Sequence, residues 1–147
     1  MNTKAMIEII AISVACANCA MAQSTLGEAI GKGAKIVLRD EFLSLLPITL
    51  SAVTASGKAE ATLKYKADGT LSGHVTSLGG HGTSGSFGTW TIDETGKRCI
   101  DETLTAWSMK YTGCSYMFKL DGRYFRVSED LARDQKITFF KATVRDN

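Results

Sequence analysis

Any chemistry this chain performs is expected first in the run Gly79-Gly80-His81-Gly82-Thr83-Ser84-Gly85-Ser86, where a histidine precedes a serine by three residues. Such a pair acts as general base and nucleophile only if the imidazole is aimed at the hydroxyl, oriented by a third group and faced by an oxyanion hole. The run also misses the nucleophile elbow G-x-S-x-G, because Ser86 stands where the last glycine belongs. His81 and Ser84 are therefore weak catalytic candidates, and the plainer reading is a mobile Ser- and Gly-rich loop between strands. The same residues spell G-x-G-x-x-G from Gly80 through Gly82 to Gly85. A dinucleotide fingerprint must open a helix, whereas Phe87-Gly88-Thr89-Trp90-Thr91-Ile92 follows here and has the pattern of a strand. No nucleotide or other cofactor is expected.

Metal and acid–base chemistry fare no better. The only two histidines, His74 and His81, match no helical metal motif, and on a strand His74 shares the solvent-facing side with Ser72 and Thr76. Asp93-Glu94, Asp101-Glu102 and Glu129-Asp130 are adjacent pairs at strand ends or turns. Neighbours on a strand point to opposite faces, so none of them is a ready two-carboxylate site. Tyr65, Trp90, Trp107, Tyr116 and Tyr124 either fill a core or shape an apolar pocket, and filling is the commoner use in a small β domain.

The first residues have the three parts of a secretory signal: Lys4, an apolar run from Ile9 to Ala17, and Ala20-Met21-Ala22 before Gln23. A cut after Ala22 is expected, since the apolar run is shorter than the roughly 20 residues a membrane helix needs. Lipidation at Cys16 or Cys19 is the competing reading. Ser13 replaces the aliphatic residue that should precede Cys16, and Asn18 stands directly before Cys19. Cleavage leaves residues 23–147, enough for one domain with one core. The net charge of +2 is unchanged, because Lys4 and Glu8 leave together. With charges interspersed, no nucleic-acid partner and no membrane span after cleavage are expected.

Of the four cysteines, Cys99 and Cys114 remain after the cut. Export and an even pair point to a structural disulfide, contributing about 3 kcal/mol by loop closure. A redox dithiol would want C-x-x-C spacing, and a zinc site would want a nearby histidine; neither is present.

The elements that must position these residues are mostly strands. Residues 23–38 hold Gly27, Gly31 and Gly33 and are expected to be loose. Arg39 to Leu46 is expected to form one short helix, capped by Asp40, ended by Pro47 and lying as a lid over the sheet on Phe42, Leu45 and Leu46. Beyond Ile48 the period becomes two, and strands are expected near 48–54, 60–66, 70–77, 87–92, 98–101, 104–111, 114–120, 123–127 and 136–144. Asp68-Gly69 and Asp121-Gly122 supply the positive φ of tight two-residue hairpins. Ala61, Leu63 and Tyr65 should face inward, as should Tyr116, Phe118 and Leu120, with the opposite faces wet. The last strand is too apolar to stand as an open edge and should help close the sheet. The expected fold over 39–147 is thus mainly β, a small antiparallel meander closing into a barrel, with a lipocalin-like or sandwich arrangement as second choice.

One resemblance bears on function. Tyr65-Lys66-Ala67-Asp68-Gly69-Thr70-Leu71-Ser72-Gly73, then Gly88-Thr89-Trp90 with Gly96 and Cys99, then Cys114-Ser115-Tyr116 with Gly122-Arg123-Tyr124, is similar to a proteobacterial family of small exported proteins catalogued only as a domain of unknown function. The similarity covers roughly 39–127, departs at Leu46-Pro47-Ile48-Thr49 and implies no activity or catalytic residues. The expectation is a periplasmic or secreted, non-enzymatic module that binds a small apolar ligand or an envelope protein. The alternative is a small secreted hydrolase using His81 with a loop serine.

Overall fold

A computed structural model of the chain describes residues 24–54 and 56–144. The expected leader, with Cys16 and Cys19, lies outside the described residues. In chain order the elements are α1 (Leu26–Gly31), β1 (Lys35–Ile36), α2 (Arg39–Ser44), β2 (Ile48–Val53), β3 (Ala59–Tyr65), β4 (Thr70–Ser77), β5 (Thr83–Ile92), β6 (Lys97–Leu104), β7 (Met109–Leu120), β8 (Arg123–Ser128) and β9 (Lys141–Val144).

Strands β2 to β8 form an antiparallel meander, each paired to the next, and the sheet curls into an open half-barrel. Glycine permits the curl where strands close over an inner position. A Cβ on Gly73 or Gly88 would lie 1.9 Å from the carbonyl oxygen of Thr62 or Asp101, so no other residue fits either place. β7 carries both sides of the structure. Its first half pairs with β6, its second half pairs with β8, and β1 continues the β6 edge opposite Phe118 and Lys119. Along the other edge, residues 109–114 have no strand partner among the described residues, and the half-barrel stays open there.

The expected last strand, 136–144, is shorter than its apolar pattern implied, yet it spans the gap. Phe139 bridges Phe125 of β8, the Phe140 amide donates to the Tyr124 carbonyl at 2.7 Å, and Lys141–Val144 then pairs with β2. Alternation puts Phe139 outside against Phe125, with Phe140 turned to the interior.

Several local expectations are corrected. Residues 24–36 are not loose: Thr25 and Glu28 form a reciprocal capping box, and Leu26 and Ala29 of α1 are buried. Asp40 does not cap α2; Leu38 holds that position without a side-chain bond, and Asp40 lies in the first turn, where its charge suits the helix dipole. The glycine-rich run is only half a loop, since β5 begins at Thr83 and pairs Ser84 with Val75. The strands expected at 98–101, 104–111 and 114–120 are two, β6 and β7, joined by the turn 105–108. Asp121 and Gly122, at φ 49° and 74°, make the two-residue hairpin, but 66–69 is a four-residue turn in which Gly69 alone has positive φ.

Two cores result. The inner one, inside the half-barrel, gathers Phe42, Ile48, Leu63, Tyr65, Trp90 and Met117. The outer one lies on the convex side of β7 and β8, where Phe118, Phe125 and Val127 meet Leu26, Ala29 and Ile137. Tyr116 and Phe118 therefore face away from the interior, and β7 is covered on both faces over Ser115–Phe118.

Candidate functional site

Inward side chains run from large at one end of the half-barrel to small at the other. At the end bounded by the turns 66–69 and 93–96, α2 drops the fully buried Phe42 onto Tyr65 and Trp90, edge-on at 5.9 and 5.3 Å between ring centroids. Trp90 Nε1 donates to the carbonyls of Lys66 and Thr70, both at 3.1 Å, so its polar tip is met by the turn beneath it. This end is sealed. At the end bounded by the hairpin turns 54–58, 78–82 and 105–108, β7 lines the wall with Met109 and Tyr111, the Tyr111 phenol lying over Gly113, but the inner positions of β2 and β3 are Ala52, Ala59 and Ala61. Side chains this small cannot reach across, and a cavity of about 480 Å³ is left, reaching from Trp107 and Met109 at the mouth down to Tyr65.

The walls are mainly aliphatic, interrupted by Thr54 and Ser56 at the rim and by Arg98, Glu102, Tyr111, Ser115 and Arg126. Glu102 is buried and accepts the Ser86 hydroxyl at 2.6 Å. The more exposed Arg126 donates through Nη2 to the Tyr111 hydroxyl at 3.4 Å. Arg98 stands at the floor, 4% exposed, with its guanidinium carbon 5.1 Å from the Phe42 ring centroid and 4.7 Å from that of Tyr65. Its Nη1 approaches the Met117 sulfur at 4.0 Å, and its Nε has no hydrogen-bond partner. Ring faces and a thioether moderate the buried charge without supplying an anion.

Outside the cavity, carboxylates tie three turns, those of Asp68 and Asp93 at the sealed end and that of Asp130 after β8, whose carboxyl the Ser128 hydroxyl also holds below its ordinary value. Asp68 accepts the Thr70 hydroxyl at 2.6 Å and amide at 2.9 Å, and Asp93 accepts the same two groups of Thr95 at the same distances. These bonds, the hydroxyl first, hold both carboxyls below the ordinary aspartate value. Lys119 bonds Glu41 of α2 at 3.0 Å, which raises its pKa.

The sequence candidates scatter across this frame. Ser84 is 0% exposed; its hydroxyl donates to the Gly85 carbonyl and accepts the Ala106 amide, both at 3.0 Å, which ties β5 to the 105–108 turn. The His81 side chain is exposed in the 78–82 turn, and its carbonyl accepts Trp107 Nε1 at 3.3 Å. No hydrogen bond joins His81 to Ser84 among the described residues. His74 is exposed, and no group of three metal-ligating side chains forms among the described residues. Cys99 and Cys114 are direct cross-strand partners on β6 and β7 and are joined by a disulfide. Of the aromatics, Tyr65 is both core and cavity floor, Trp90 is core, Trp107 is at the mouth, Tyr124 packs on the inner core and Tyr116 on the outer.

Arg98 did not stand out in the sequence, and Glu102, expected with Asp101 at a strand end or turn, lies buried within β6. Their signal is the alternation Arg98-x-Ile100-x-Glu102-x-Leu104, which sets two charged residues among the inward positions of β6. Comparison with protein-family models, curated proteins and solved structures finds no match, and the cavity is interpreted from its own residues.

Proposed function

We propose that this chain is an exported, non-enzymatic binding module whose half-barrel takes up a small apolar ligand through its hairpin end. The observation that carries the reading is the hollow: about 480 Å³ of mostly aliphatic space, kept open by Ala52, Ala59 and Ala61 at positions where a filled barrel would carry large side chains. That size falls within the roughly 300–1,000 Å³ of small-molecule sites, which share this mainly apolar lining with a few polar groups. Export rests on the pattern of residues 1–22, and an oxidising compartment is where a bridge between Cys99 and Cys114 persists.

Native mass spectrometry of protein recovered from the periplasm of an expressing bacterium tests this. A noncovalent adduct is expected, released on denaturation and absent from Ala61→Leu. Absence of an adduct, together with failure to take up N-phenyl-1-naphthylamine, a neutral apolar fluorophore, would sink the proposal.

A second reading, docking of an envelope protein on the mouth, is favoured by exposed Val53 and Met109 beside Trp107 and Tyr111. The hydrolase alternative gains no support from Ser84, whose hydroxyl is committed to backbone partners. Hydrolytic activity that His81→Ala or Ser84→Ala abolishes would revive it.

A further inference from the structure

The floor of the cavity holds a charge that the described residues leave without an anion. Arg98 is 4% exposed, its Nε is unbonded, and the acceptor facing its Nη1 is a thioether at 4.0 Å. A guanidinium presents five N–H donors in a planar fork and stays protonated throughout the working pH range. The Phe42 and Tyr65 rings draw the charge to their faces, but they offer no lone pair in the plane of the fork. Glu102, the acid on the same wall, lies about 13 Å up the strand at the usual rise per residue and already accepts Ser86. A buried cation in this position is costly unless a partner completes it.

We infer that Arg98 anchors the head of a single-chain amphiphile bearing one negative charge, a carboxylate, whose hydrocarbon tail runs up the cavity towards the hairpin end. The inference rests on the half-barrel being an apolar-ligand module and names the class of its ligand. A carboxylate offers two coplanar oxygens to the fork, and Ser115, directly opposite Arg98 in the β6–β7 register, adds a hydroxyl beside it. Above the head, Ala61, Leu63 and Ile100 line the path of the tail, and Trp107 and Met109 meet its end at the mouth. One guanidinium neutralises one negative charge, so a second on the head would be buried without a partner.

Titration calorimetry of the folded, disulfide-bonded chain with dodecanoate, dodecanol, dodecyl phosphate and dodecyltrimethylammonium compares heads on one tail. Dodecanoate is expected to bind about tenfold or more tightly than dodecanol, the size of one charge-assisted bond, with the phosphate weaker than the carboxylate and the cation weakest. Arg98→Gln should bring dodecanoate down to the level of dodecanol and leave dodecanol unchanged. Because Arg98→Gln disturbs a buried site, its fold is checked by circular dichroism, and the head-group series on the unaltered chain decides the matter if the variant unfolds. Equal affinity for dodecanol and dodecanoate overturns the anchor and leaves the apolar-ligand reading standing. Tighter binding of the phosphate overturns the single-charge assignment. Binding of none of the four overturns the anchor and the reading beneath it together.

Discussion

The two ends of the half-barrel are built from the same strands and do opposite things. At the sealed end, Phe42, Tyr65 and Trp90 interlock edge to face and the turns are held by the carboxylates of Asp68 and Asp93. At the hollow end β2 and β3 turn Ala52, Ala59 and Ala61 inward, and the turns are held by hydroxyls, as in Thr54 with Ser56 and Ser84 with the Ala106 amide. One set of strands can thus carry stability at one end and an opening at the other, because inner side chains on a strand act independently once the backbone ladder is formed. Stability is therefore expected to track the first end and ligand uptake the second.

The largest effect should come from Phe42→Ala, which removes a fully buried ring from the seal. A loss of about 3–5 kcal/mol in denaturant unfolding is expected, against about 0.5 kcal/mol or less for Met109→Ala at the exposed mouth. Equal losses would erase the contrast between the ends. Next in size is Cys99→Ser, which frees the cross-strand link on the wall whose outer edge, 109–114, is unpaired. Unfolding should cost about 3 kcal/mol less than for the parent under oxidising conditions, and the two should melt alike in reductant.

Ala61→Leu is expected to abolish uptake of N-phenyl-1-naphthylamine in a fluorescence titration while changing stability by about 1 kcal/mol at most, since the added methyl groups enter space that is already vacant. A large destabilisation would mean that the hollow is filled in solution. The smallest effect concerns pH. Asp68 and Asp93 are held below the ordinary aspartate value of 3.8, so their contribution is present above that value and is lost as pH falls through the lower folded one. Hydrogen exchange should show the sealed-end turns opening first under acid, and Asp93→Asn should flatten the acid limb of the melting curve. Opening that begins at the hydroxyl-held turns would reverse the comparison.

How much of this was legible in the residues follows from the range of the forces involved. Alternation in Ala61-x-Leu63-x-Tyr65 assigned its face correctly, because period two is a local property of the extended chain. The same logic sent Tyr116 and Phe118 to the wrong side, since the outer face of β7 is covered by α1, a short helix whose glycines concealed a capping box at Thr25 and Glu28. Ser84 and Ser86 were assigned to a loop on composition, yet they are buried residues of β5, accommodated there because both hydroxyls are hydrogen-bonded. The cavity residue that matters most, Arg98, was marked only by its place in the period-two run to Leu104.

From residue order alone came the antiparallel meander, the Asp121-Gly122 hairpin and the covalent partnership of Cys99 with Cys114, since each depends on neighbours a few positions away or on a single pair. Which end is stoppered, where the sheet stays unjoined among the described residues, and that the Arg98 guanidinium meets rings and a thioether but no acid among the described residues all came from the folded chain. Those properties arise from contacts between segments far apart in sequence, such as Phe42 with Trp90 and Phe139 with Phe125, and curvature and closure settle them after every strand has already chosen its faces.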